Sequence, residues 1–100
     1  MFKPIDTLIH SPLRLSIVSI LANSGKTDFN QILAVTGATK GNVSVQLQKL
    51  RNAGYIDIHK TFKKNYPHTS CTITAKGKKA FEAYVISIRS YIESGMGNQK

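Results

Sequence analysis

Eight residues close together in this chain carry side chains suited to holding a polyanion and reading its edges. Thr39, Lys40, Asn42, Ser44, Val45, Gln46, Gln48 and Lys49 lie within the run GATKGNVSVQLQKLRNAG, from Gly37 to Gly54. The amides of Asn42, Gln46 and Gln48 can pair with adenine edges, and Lys40 and Lys49 can donate to guanine or to phosphate. The Ser44 hydroxyl can donate to phosphate. This is hydrogen-bonding and charge chemistry, not bond-making chemistry. The sequence has no paired-carboxylate site, no Gly-rich phosphate loop after a strand, and no Ser or Cys nucleophile matched to a His and an orienting acid, so no enzyme is expected.

The spacing says what positions these groups. Val43, Leu47 and Leu50 recur at i, i+4 and i+7, one face of an α-helix. With ~100° per residue, the opposite face carries Gly41, Asn42, Val45, Gln48 and Lys49, and no acid. Gly37 supplies a turn, Thr39 an N-cap and Gly54 a left-handed C-terminal residue, so the helix is expected over 39–53. A short capped helix with donors and amides outward suits a DNA major groove. An ordinary amphipathic surface helix has the same pattern, and the rest of the chain must separate the two.

Charge is the first discriminator. The 100 residues carry 14 Lys+Arg against 5 Asp+Glu, a net charge of +9, which points to a polyanionic partner. Lys40, Lys49, Arg51, Lys60, Lys63, Lys64, Lys76, Lys78 and Lys79 fall between Phe29 and Phe81, where the only acid is Asp57. A solvated face would carry Glu–Lys pairs, and this region has none. The single cysteine, Cys71, excludes an internal disulfide and fits a reducing compartment. No apolar run approaches the eighteen or so residues of a membrane span and no signal-peptide pattern is present, so a soluble cytoplasmic protein is expected.

In chain order, Phe2, Ile5, Leu8 and Ile9 have helical spacing in residues 1–10, a segment that must pack on the body or on a second subunit. Ser11-Pro12 opens a helix that stops at Ala22-Asn23-Ser24-Gly25. Lys26-Thr27 is a short extended link with the makings of an edge strand. Asp28 caps a brief helix, with Gln31 at capping-box spacing, that ends at Gly37. After Gly54 the period falls to two. Tyr55–Lys60 reads as a strand, Thr61–His68 as a long turn-rich basic tip with Lys63 and Lys64, and Thr69–Thr74 as the returning strand. Thr74 caps a last helix with Phe81, Tyr84, Val85, Ile88, Tyr91 and Ile92 on an apolar stripe too long for so small a domain. It is expected to end near 94, leaving 95–100 as a tail. The expected class is mainly α with a small β-hairpin (α+β). The chain makes one domain: an N-terminal segment 1–10, a core 11–74 and a long helix 75–94.

A helix-turn-helix followed by a hairpin is a winged helix, and particular residues strengthen that reading. Asp28-Phe29-Asn30, Lys40-Gly41-Asn42-Val43-Ser44, Leu47-x-Lys49-Leu50, Ala53-Gly54-Tyr55-Ile56, Lys60-x-Phe62, Pro67-x-Thr69, Ile73-Thr74 and Gly77-Lys78-x-Ala80-Phe81-x-x-Tyr84 resemble the small winged-helix transcriptional regulators related to the MarR and ArsR groups. His10-Ser11-Pro12-x-Arg14 resembles the start of that domain, and the likeness spans residues 8 to 92. It implies a sequence-specific, homodimeric regulator of transcription binding double-stranded DNA. The helix 39–53 would lie in the major groove and the wing, 60–69, with Lys60, Lys63 and Lys64, on the flanking minor groove and phosphates. It also implies a dimer interface formed by Phe2, Ile5, Leu8 and Ile9 with Phe81, Tyr84, Val85, Ile88, Tyr91 and Ile92. Thr36 and Ala38 stand where larger aliphatic residues are usual, and Val45 replaces a polar residue, fitting it for a thymine methyl.

The family's metal-sensing branch needs clustered thiolates and imidazoles. Here His68 and Cys71 stand three apart, with no further obvious ligand, so no metal and no cofactor are expected. Larger relatives bind small molecules near the dimer interface, and the aromatic last helix leaves an effector open. The alternative from another class is a winged helix used as a protein-interaction or RNA-binding module.

Overall fold

The computed structural model describes residues 2–97. Ser11 is extended and Pro12 takes the first helical position of α1 (Pro12–Ser24), which Gly25 closes at φ 79°. Strand β1 (Lys26–Asp28) leads into α2 (Phe29–Thr36). The Asp28 carboxylate caps α2 by accepting from the Gln31 N–H at 2.7 Å, and Gly37, left-handed at φ 69°, ends it. The turn passes to α3 (Lys40–Asn52), where the Thr39 hydroxyl accepts from the Asn42 N–H at 3.2 Å.

Strands β2 (Ile56–Lys63) and β3 (Tyr66–Ile73) follow, then the long helix α4 (Ala75–Gly97). The three strands form one antiparallel sheet in the order β1-β3-β2, with Cys71 opposite Thr27 on one side and Ile58 on the other. The extended link at Lys26-Thr27 is thus an edge strand. The core lies between α1, α2, α3 and the inner face of the sheet. Ile17, Val18, Leu21, Ile32, Val43, Leu50, Ile56 and Cys71 are buried there, and Leu47 nearly so. Each aliphatic side chain removed from water contributes about 1.5–3 kcal/mol, so the Val43–Leu47–Leu50 stripe fixes which face of α3 is left outside.

Three expectations differ from the observed fold. Residues 2–10 form no helix. The chain is irregular, then turns after Asp6, whose carboxylate accepts from the Leu8 and Ile9 N–H groups at 2.9 and 3.2 Å. With the His10 N–H donating to the Asp6 carbonyl at 2.9 Å this makes one capped turn, which the extended Ser11 ends before a helix can propagate. The segment packs along α4 instead. Ser87 donates to the Pro4 carbonyl at 2.7 Å, the Lys3 N–H donates to Ser90 Oγ at 3.2 Å, and Phe2 stacks on Tyr91.

The long tip expected over Thr61–His68 is also wrong. The strands continue to Lys63 and Tyr66 and close through Lys64 and Asn65, both at positive φ (50° and 68°). That is the two-residue turn whose twist matches the strands. The last helix runs to Gly97, beyond the expected end at 94, and the remainder of the expected tail, 98–100, lies outside the described residues.

Thr74 knits three elements together. Its hydroxyl caps α4 by accepting from the Gly77 N–H at 2.9 Å and donates to the Gly54 carbonyl at 2.6 Å, while its N–H donates to the Tyr55 carbonyl at 3.0 Å. Gly54, at φ 80°, is the left-handed residue after α3. Gly77 sits so close that a Cβ there would lie 2.2 Å from the Tyr55 carbonyl oxygen. The end of α3, the root of the wing and the start of α4 are therefore locked in one geometry.

Candidate nucleic-acid interface

With Val43, Leu47 and Leu50 committed to the core, α3 turns Lys40, Gly41, Asn42, Ser44, Val45, Gln48 and Lys49 to solvent. Thr39, the cap, is exposed beside them, and Val45 keeps 51% of its surface exposed. The inner face of β2 continues this surface. Ile58 and Lys60 meet Ser44, Leu47 and Gln48 across a cleft of about 230 Å³, and Lys60 shares a second hollow with Gln48 and Arg51. Lys63 and Lys64 are exposed at the tip of the hairpin. Asp57, the one acid in this stretch, alternates with Ile56 and Ile58 and so points to the sheet's other face. The result is a donor-rich, acid-free surface running from α3 to Lys60, with Lys64 at the hairpin turn, whereas Lys63 shares the other face of β2 with Asp57 and lines a hollow there with Asp28 and His59.

One expected reader is turned away. Gln46 is half-buried, its Oε1 accepts from Arg14 Nη1, and its Nε2 donates to Asn42 Oδ1 at 2.9 Å. Its position on the helix is beside the apolar stripe, not opposite it, so its amide reaches Arg14 of α1.

Two exposed side chains escaped the sequence reading as contact residues. Phe62 and Tyr66, 76% and 75% exposed, flank the Lys63–Lys64 tip on opposite faces of the hairpin. Phe62 shares the inner face with Lys60 and pairs across the strands with Pro67. The signal was an aromatic on each side of a basic turn.

The residues expected to meet a second subunit divide. Ile9 and Tyr84 are buried within the protomer, with the Tyr84 hydroxyl 2.9 Å from His10 Nδ1, and Leu8 and Phe81 pack on the core. Their apolar character is used at home because the N-terminal segment folds back. Ile5 and Ile88 are half-buried. Phe2, Val85, Tyr91 and Ile92 are exposed, and Ile86, not foreseen, is 51% exposed. Val85, Ile88 and Ile92 line an apolar groove of about 490 Å³ with Leu15 of α1.

Two groups are displaced from their ordinary ionisation. The hydrogen bond from the Tyr55 hydroxyl to Asp6, then burial, then the Asp6 charge push Tyr55 up to about 12. Burial pushes the Cys71 thiol up to about 11, so it is a poor nucleophile and a poor ligand at neutral pH. Among the described residues no group of three or more His, Cys, Asp or Glu could hold a metal ion. No helix among them is long and apolar enough to cross a membrane.

Residues 13–92 match the family model of a winged helix DNA-binding domain. The chain belongs to that family. Relatives agree with this placement. An uncharacterized protein of Methanocaldococcus jannaschii is 30% identical over 81 residues, covering 81% of this chain and 88% of its own. A transcriptional regulator homologue from Pyrococcus horikoshii superposes with a TM-score of 0.83 at 26% identity, over 89% of this chain and 88% of that one. A MarR-family transcriptional regulator from Enterococcus faecalis shares the fold with a TM-score of 0.73 at 18% identity, over 93% and 83%. The winged-helix protein thus has the MarR-like architecture that its motifs resemble.

Proposed function

We propose that this winged-helix protein is a sequence-specific regulator of transcription that binds double-stranded DNA as a homodimer. The observation that carries the reading is the acid-free donor surface formed by α3 and the inner face of the wing, with Asp57 directed away from it. A module for protein contact would present apolar residues there, and α3 presents Lys40, Asn42, Ser44, Gln48 and Lys49 around one valine. In this reading the exposed face of α3 enters the major groove, where Val45 meets a thymine methyl. Lys60, Lys63 and Lys64 neutralise phosphates beside the adjacent minor groove, and Phe62 lies against deoxyribose.

Dimerisation rests on α4. Twenty-three residues make a helix about 34 Å long. The exposed Val85 and Ile92, with the groove they line, form an apolar surface that a soluble monomer would rarely keep. A two-fold axis there would set two α3 helices about 34 Å apart on a near-palindromic site. Selection of bound duplexes from a random pool tests the proposal: a two-fold symmetric motif supports it, and a pool without any motif refutes it.

A further inference from the structure

We infer that two arginines hold the outward amides of α3 with their nitrogens facing the DNA, so that this helix selects acceptor edges, guanine above all, and not adenine. The inference rests on the DNA-binding reading above and specifies what the surface selects. It follows from which groups can only donate. A guanidinium has five N–H donors and no acceptor. Arg14 is anchored by Nε, which donates to the Leu8 carbonyl, and its Nη1 meets Gln46. Gln46 must therefore present Oε1 to Arg14, which leaves Nε2 at the other end of the same amide. That nitrogen lies 2.9 Å from Asn42. A donor there requires an acceptor, so Asn42 turns Oδ1 back toward Gln46 and its Nδ2 hydrogens outward.

Asn42 is thus oriented by a relay of three side chains that begins on α1. Gln46 is a positioning residue in this relay, not a reader. A second, independent pair has the same sense: Arg51 Nη1 donates to Gln48 Oε1 at 3.3 Å, leaving Gln48 Nε2 outward.

The consequence is a reading surface of donors. Bidentate pairing with adenine needs the oxygen and the nitrogen of one amide side by side at the base, the oxygen taking the N6 hydrogen and the nitrogen giving to N7. With Oδ1 of Asn42 and Oε1 of Gln48 turned back, that arrangement is lost. Guanine presents two acceptors, O6 and N7, and thymine presents O4 beside its methyl group. Outward Nδ2 and Nε2, the ammonium groups of Lys40 and Lys49, and the Val45 methyls match those edges.

The substitution Gln46→Glu tests the relay because it reverses its polarity. A carboxylate only accepts, so both Arg14 and Asn42 must donate to it, and Asn42 then turns Oδ1 to the DNA. In duplex selections, the wild type should favour guanine or thymine at the position that loses preference in Asn42→Ala. Gln46→Glu should move that position toward adenine or cytosine, with the base ratio changing at least about fivefold. The added charge lowers affinity for all sequences alike and leaves the ratio readable. An adenine preference in the wild type, or the same preference in both proteins, would overturn the inference. A second measurement uses the protein without DNA. The Gln46 side-chain amide resonances in an amide correlation spectrum should shift in both Asn42→Ala and Arg14→Met. Resonances unmoved by either change would overturn the relay even if no sequence preference exists. A shifted resonance with no DNA selectivity would keep the relay and sink the DNA-reading proposal instead.

Discussion

Replacing Gly77 by alanine sets two opposite expectations against each other. In an ordinary helix interior, Gly→Ala stabilises by about 1 kcal/mol. Here the new Cβ would stand 2.2 Å from the Tyr55 carbonyl oxygen and 3.0 Å from Ile73 Cγ1, and contacts of this kind do not fall below 3.0 Å. One partner is backbone, and it is held by the Thr74 N–H. Relief requires α4 to move away by most of an ångström, which opens the bond from Gly77 N–H to Thr74 Oγ1. Overpacking of this kind costs about 1–3 kcal/mol and the lost cap about 1, so the net change after the propensity gain is a loss of about 2 kcal/mol. At about 4–8 °C per kcal/mol for a domain of this size, the midpoint of thermal unfolding should fall by about 10 °C. Circular dichroism melts would read this directly. An unchanged or raised midpoint for Gly77→Ala would refute the claim that this contact locks α4 to the wing root. Gly41→Ala is the control: nothing lies within 4 Å of its Cβ, and the melt should rise by a few degrees at most.

The remaining predictions are briefer. Changing Lys63 and Lys64 together to alanine should lower the slope of log binding constant against log salt by up to about 2, with sequence preference intact; a lost preference would mean that the wing reads bases. Tyr55 ionises near 12 in the folded chain against 10 when unfolded, so its contribution to stability is complete below pH 10 and is lost between pH 10 and 12. In Tyr55→Phe that part of the alkaline loss should vanish from pH-dependent denaturant titrations. Ile92→Glu should shift sedimentation toward the monomer while leaving the circular dichroism spectrum unchanged; an unaltered dimer would place the interface elsewhere.

Much of the helical frame was legible because its signals are local. Asp28, Thr39, Gly37 and Gly54 act within three residues of themselves, and each takes the conformation its chemistry prescribes. What could not be read depends on distant partners. Phe2, Ile5, Leu8 and Ile9 have helical spacing, yet only a single turn forms after Asp6, which Tyr55, 49 residues away, holds in place. Strand pairing carries Thr61–Lys63 and Tyr66–His68 into the sheet against the local signal of Pro67 and a Lys-Asn turn without glycine. Gln46 looks like a reader in the sequence and is taken up by Arg14, 32 residues before it. The outward set of α3 was therefore found, whereas the orientation of its amides required the fold.

The most direct test of sequence reading by α3 is a titration of this protein against three labelled probes: a duplex carrying the selected motif, a scrambled duplex and an RNA of the same sequence. Between 50 and 200 mM salt, affinity for every probe should fall steeply, and the selected duplex should bind at least about a thousandfold more tightly at each concentration. Equal affinity for the three probes would contradict it, because the surface of α3 and the wing would then hold charge without reading sequence.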